Sequence, residues 1–161
     1  MTVQNDGLHW GVKWQVAKFK EDELTGGEVP YEVIEGSGNM LVNTGIQLLE
    51  DLLIGAGGTV FNNTNTRLGV GDSSTTASAS QTDLQAATNK LRKGMDATFP
   101  SRSGQTLTFR STFATNEANF VWNEWAIFNA ASSGTMLNRK VESLGTKVSG
   151  SWQLTITITI S

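Results

Sequence analysis

The chain has 161 residues, with 12 Lys+Arg against 15 Asp+Glu for a net charge of −3, no cysteine and a single histidine, His9. That balance excludes the concentrated basic face of a nucleic-acid-binding domain, and the missing cysteines exclude disulfide frameworks, thiolate metal sites and cysteine nucleophiles. Thr, Ser, Asn and Gly make up 63 of the 161 residues beside five tryptophans and two prolines, which describes one β-rich domain with polar, uncharged surfaces rather than a linker or a disordered tail.

Met1–Gly11 has neither a basic start nor an apolar run and does not read as a secretory signal. The apolar clusters near Ile46–Ile54 and Phe120–Phe128 are broken by Gln47, Glu50, Asp51, Asn123 and Glu124, so no segment approaches the ~20 apolar residues of a membrane span. The first expected strand is His9–Lys20, where Trp10, Val12, Trp14 and Val16 alternate with Gly11, Lys13 and Gln15, the period-2 pattern of a half-buried strand. Glu21–Glu28 reads as a solvated acidic turn, and Val29–Glu35 as a short extended piece before Gly36-Ser37-Gly38. Asn39 to Ile54 is the first expected helix, with Asn39 as N-cap and Leu41, Leu48, Leu49, Leu52 and Leu53 on its apolar face; Gly45 counts against it. The Gly55–Gly58 run that ends it lacks the Gly-Lys-Ser/Thr of a phosphate-binding loop.

Arg67–Gly71 reads as a short strand entering the small-residue loop Asp72–Ala79. Asp72, Ser73, Ser74 and Thr75 have oxygen atoms for a cation but too few carboxylates for a calcium loop, and an Asx or ST turn accounts for them. Ser80 and Asp83 resemble a capping box for a second helix, Gln81–Lys93, with Leu84, Ala87, Thr88 and Leu91 on one face, Lys90, Arg92 and Lys93 in the last turn and Gly94 as its stop. Thr106–Phe113 alternates. Phe120–Phe128 is apolar on both faces, as in a central strand covered on each side by helices or by a neighbouring subunit. Thr135–Val141 returns from a turn, and Trp152–Ile160 carries the cleanest alternation in the chain. The fold expected is mainly β, an antiparallel β-sandwich or barrel-like domain with two short α-helices (about 39–54 and 81–93). Residues 1–38 form an N-terminal strand or arm, and residues 39–161 a single domain.

Catalytic constellations do not emerge. His9 has no triad partner. Glu117 and Glu124, seven apart in an extended segment, fall on opposite faces and up to about 24 Å apart, which is unsuited to a glycosidase pair. Glu124, between Trp122 and Trp125, must be paired or hydrogen-bonded if buried, and Arg67, Arg110 and Arg139 on other strands are the candidate partners. Trp10, Trp14, Trp122, Trp125 and Trp152 occupy mostly inward positions of alternating runs, so core packing accounts for them better than stacking on sugars. No catalytic, cofactor-binding or metal residue is assigned. Trp10, Trp14, Phe120, Trp122, Glu124, Trp125, Arg139 and Trp152 stand as core or interface candidates.

From Arg67 onward the order of segments resembles a module of structural proteins of tailed bacteriophages. The pieces are Leu68-Gly69-Val70-Gly71-Asp72, the Ser73–Ser80 loop, Thr82-Asp83-Leu84, Ser111-Thr112-Phe113, Asn123-Glu124-Trp125-Ala126-Ile127-Phe128, Gly134-Thr135-Met136-Leu137-Asn138-Arg139 and Leu154–Ile160. Trp125-Ala126 stands where such modules often carry Gly. The resemblance covers roughly residues 39–161 and implies a non-enzymatic virion protein assembled in the host cytoplasm. It further implies a capsid decoration or cement protein that binds the major capsid protein or other virion proteins as a homo-oligomer, without nucleic acid, membrane or cofactor. A tail-fibre or baseplate appendage for host or glycan recognition is the alternative, and Met1–Tyr31 would be an arm reaching a neighbouring subunit.

Overall fold

Side chains that alternate between apolar and polar along most of the chain can bury one face of a sheet each, and two such sheets pack face to face here. The computed structural model describes residues 7–161; Met1–Asp6 lie outside the described residues. The strands are β1 (Trp10–Lys18), β2 (Glu32–Ser37), β3 (Met40–Leu41), β4 (Arg67–Gly71), β5 (Lys90–Gly94), β6 (Ser101–Ser103), β7 (Thr106–Phe113), β8 (Val121–Phe128), β9 (Met136–Thr146) and β10 (Trp152–Ile160), and the helix is α1 (Asn43–Ile54). Sheet A has the order β2-β1-β10-β7-β6 and sheet B the order β3-β9-β8-β4-β5, all pairs antiparallel. This is the expected mainly β architecture, a sandwich.

β10 lies between β1 and β7. Trp152, Leu154, Ile156 and Ile158 point inward, and Gln153, Thr155, Thr157 and Thr159 outward. Together with Val12, Trp14 and Val16 of β1 and Phe109 and Phe113 of β7 they form sheet A's half of the core. Leu68, Val70, Trp122, Trp125, Ile127, Leu137 and Leu144 supply the half from sheet B. Each fully buried large apolar side chain contributes about 1.5–3 kcal/mol to this packing. The strands of the N-terminal segment are part of the same sandwich, since β1 runs antiparallel to β10 from Trp10↔Ile160 to Lys18↔Trp152.

The two apolar faces of β8 have two different covers. Trp125 and Ile127 face sheet A, while Ala126 and Phe128 pack with Leu84, Val42 and Met136 on the outside of sheet B. The outer cover is therefore not a second helix. Residues 81–89 run irregularly, and Lys90–Gly94 is strand β5, paired with β4 from Arg67↔Gly94 to Gly71↔Lys90. The helical spacing of Leu84, Ala87, Thr88 and Leu91 is overruled by tertiary bonds. The N–H groups of Gln85 and Ala86, which a helix would use internally, go to the Glu124 carboxylate instead. The first helix is also shorter than its apolar pattern suggests. Met40 and Leu41 pair with Arg139 and Asn138 as β3, so α1 begins at Asn43 after Val42, with no side-chain cap, and Asn39 is not its N-cap. Gly45, which disfavours a helix by itself, is required by close approach: a Cβ there would sit 2.8 Å from the Cα of Leu137 in β9. Gly55, at φ 71°, ends the helix in the left-handed region. Among the described residues no helix is long and apolar enough to cross a membrane.

Candidate functional site

The most concentrated polar chemistry lies where the irregular 72–89 segment crosses the outer face of sheet B. Glu124 and Arg139 are both fully buried, and Arg139 Nε donates to Glu124 Oε2 at 2.6 Å. The register explains why Arg139 is the partner among the three candidates. Arg139 lies opposite Ala126, which shares a face with Glu124, so it reaches the carboxylate diagonally. Arg67 lies opposite Phe128, and Arg110 belongs to sheet A, where it pairs with Asp96 at 2.9 Å. The N–H groups of Gln85 and Ala86 donate to Glu124 Oε2 and Oε1 at 3.0 and 2.8 Å. Arg139 Nη1 donates to the Thr75 carbonyl at 2.9 Å and to Gln81 Oε1 at 3.0 Å. A Cβ on Gly71 would strike the Glu124 carboxylate and lie 3.0 Å from the Ala86 Cβ, so this glycine makes room for the cluster.

The pair therefore bonds the crossing segment at both ends, at Thr75 and Gln81 through the arginine and at Gln85 and Ala86 through the glutamate. A fully buried carboxylate with these donors latches the segment to β8. Asp72, weighed above as a cation ligand, accepts from Asn89 Nδ2 at 2.8 Å, and Ser73 Oγ accepts from the Thr75 N–H in an ST turn. Among the described residues no three of His, Cys, Asp and Glu gather in a metal-ligating group. His9 is exposed, and its backbone pairs with Ser161.

A second clamp holds the same segment. Lys90 and Arg92, two apart on a strand, lie on one face and both reach Asp83, at 3.0 and 2.9 Å; in a helix they would diverge. The Arg92 guanidinium lies 3.5 Å from the centre of the Phe128 ring. Partial burial pushes the Asp83 carboxyl up, but the bonds from Arg92 and Lys90 and the Leu84 N–H outweigh it and leave it below the usual carboxylate value. Glu117, bonded by Lys93 and the Ala114 N–H, is lowered against its own burial in the same way. A depressed carboxyl stabilises the fold fully above its unfolded pKa, about 4, and that stabilisation is lost as pH falls through the lower folded value. The melting temperature is accordingly expected to hold from neutral pH to about 4 and to decline below it, with a shallower acid decline in Asp83→Asn, as followed by circular dichroism.

Of the other candidates, Trp14, Trp122, Trp125 and Trp152 are buried in the core, while Trp10 and Phe120 are half-buried against it. Lys147 has no counterpart in the sequence reading. It is fully buried and donates to the carbonyls of Ala114 and Thr115 at 2.7 and 3.3 Å and to Asn119 Oδ1 at 2.9 Å. Burial pushes its ammonium below the usual value, against the pull of Glu117 and Asp22. A lysine between two strands carries no sequence signal of burial. Asn129, likewise missed, bridges the Thr59 carbonyl and the Thr135 N–H.

The outer face of sheet A is a polar surface of another kind. Thr159, Thr157 and Gln153 of β10 lie opposite Thr106, Thr108 and Thr112 of β7, with Thr106 and Thr159 hydrogen-bonded at 2.9 Å. Comparison of the chain with protein-family models, curated proteins and solved structures returns no match.

Proposed function

We propose that the chain is a non-enzymatic structural protein of a tailed-bacteriophage virion, one that decorates the capsid and stabilises its lattice as a homo-oligomer bound to the major capsid protein or other virion proteins. One observation carries this reading: four pieces of the phage-like module, far apart in sequence, meet at a single latch. Asp72 accepts from Asn123 at its carbonyl, Leu84 packs on Phe128, and Arg139 bonds Glu124. Those residues hold a chain segment in place, which is the role expected of a recurring structural module. The threonine-rich outer face of sheet A, where Lys13 and Arg110 stand opposite Thr157 and Thr155, and the exposed apolar end of α1, Leu53 and Ile54, offer area suited to contact with other protein.

The tail-appendage alternative calls for tryptophan faces exposed in a cleft, and the tryptophans of this chain are in or against the core. Purified particles with and without the protein decide the matter. The proposal expects density spread over the capsid lattice and particles that lose resistance to heat or osmotic shock when the protein is missing. Density confined to the tail, or unchanged particle stability with reduced host adsorption, would overturn it.

A further inference from the structure

We propose that the free edge of β2 receives an extended segment of a partner protein as an added antiparallel strand, and that this segment places apolar residues opposite Val33 and Ile34 and a lysine or arginine opposite Glu35. The four sheet edges are not equivalent. β3 has two residues and β6 three. β5 leans on β7, where Ser111 Oγ donates to the Lys93 carbonyl at 3.4 Å and the Asp96 N–H to the Arg110 carbonyl at 2.8 Å. β2 has six residues and, among the described residues, pairs on one side only, with β1.

The phase of its ladder identifies the unused groups. Gly38 donates its N–H to the Val12 carbonyl, and in an antiparallel pair alternate residues exchange both bonds. Ile34 and Gly36 therefore bond β1, while Val33, Glu35 and Ser37 turn their N–H and C=O groups away from it. The Ser37 carbonyl indeed accepts from Lys140 Nζ, outside the ladder, at 3.4 Å. Unpaired strand edges of this length are templates for another chain.

Side chains define the occupant. Val33 is 43% exposed and Tyr31 53%, on the same face as Glu35, and Ile34 is half-buried against the core on the other face. Glu32 is neutralised by Lys18 at 2.6 Å, whereas Glu35 makes no ion pair among the described residues, and Val29–Ser37 contains no Lys or Arg. Directly opposed residues of opposite charge favour pairing and like charges oppose it. A second copy is a poorer occupant: a two-fold pairing centred on Glu35 sets glutamate against glutamate, and one centred on Ile34 sets Glu35 against valine. The inference rests on this strand edge and stands whether or not the chain is a virion component.

The test titrates the full chain with the octapeptide Thr-Thr-Thr-Lys-Val-Val-Thr-Thr, whose antiparallel pairing sets lysine opposite Glu35 and valines opposite Ile34 and Val33, and separately with the same peptide carrying glutamate in place of lysine, following backbone amides by NMR. The lysine peptide is expected to shift and protect the amides of Val33, Glu35 and Ser37, more weakly at high salt, and the glutamate peptide to leave them unchanged. Glu35→Pro removes an outward N–H that the fold does not use, as edge prolines do, and is expected to weaken binding about tenfold or more with the melting temperature near that of the parent. Val33→Lys, which leaves the backbone intact, is expected to weaken it as well. Equal binding of both peptides, shifts located away from β2, undiminished binding by both variants, or a parent dimer that Glu35→Pro dissolves would each overturn the proposal.

Discussion

Replacing Arg139 by methionine is expected to destabilise the fold by about 3–5 kcal/mol, the loss that follows when one member of a buried ion pair is removed. The Glu124 carboxylate would then stay fully buried with only the Gln85 and Ala86 N–H groups as donors, and the Thr75 carbonyl and Gln81 amide oxygen would lose their shared guanidinium. The denaturant midpoint should fall with little change in slope, and amide protection should drop within residues 72–89. The double variant Glu124→Leu with Arg139→Met separates this latch from an isolated pair. For an isolated pair, apolar replacement of both members is often neutral or stabilising. Here the double variant should remain destabilised by about 1–3 kcal/mol, because the Ala86 N–H stays buried without a partner. Recovery of parental stability would mean that the segment is held by Leu84 and the Asp83 clamp alone.

The same latch shows where sequence reasoning succeeds and where it stops. The need of Glu124 for a partner was legible as a condition, since a carboxylate between Trp122 and Trp125 on an apolar strand must be paired if it is buried, and it is buried. Which of three arginines answers depends on sheet order and register, and neither is encoded in local alternation. β10 was legible from end to end, since a strand buried on one face repeats with period 2 and depends on no other segment for its pattern; β4, buried on both faces, was legible as a short extended run before the small-residue loop. Residues 81–93 were misread for the opposite reason. Leu84, Ala87, Thr88 and Leu91 satisfy a helical face, and Ser80 and Asp83 a helical start, yet the segment is held by a carboxylate 38 residues away from Ala86 and by a β4 edge that needs a neighbour. Lys90 and Arg92 contained the contrary signal: as i and i+2 they share a face only in a strand, and Asp83 then binds both. The helix start at Asn39 failed similarly, because β9 claims Met40 and Leu41 first.

The other large effect is expected at the point where the two sheets are joined by aromatic rings. Trp122, on β8 of sheet B, is fully buried and meets Phe113 of β7 and Trp152 of β10 edge to face, at centroid distances of 4.8 and 5.0 Å. Its indole N–H donates to the Ala118 carbonyl at 2.9 Å, which fixes the ring and satisfies its one polar atom. Trp122→Ala removes the largest link between the sheets and leaves a void that rigid neighbours fill only in part, so a loss of about 3–5 kcal/mol is expected. Trp122→Phe keeps an aromatic ring in the cluster but loses the indole bond to the Ala118 carbonyl, which retains the Phe120 N–H, and leaves a smaller void, for a loss of about 1–3 kcal/mol. Trp10→Ala serves as the comparison, since that ring is only half-buried at the end of β1, opposite Ile160, and should lose less than either. Denaturant midpoints order the three variants. A Trp122→Ala protein no less stable than Trp10→Ala would place the junction of the sheets elsewhere, at the Trp125 and Ile127 contacts with sheet A. Within sheet A the same cluster has a further role: the Lys18 ammonium lies 4.3 Å from the Trp152 ring centre while paired with Glu32, so Trp152 also helps anchor β1 to β2 at the end where the chain leaves for the acidic loop.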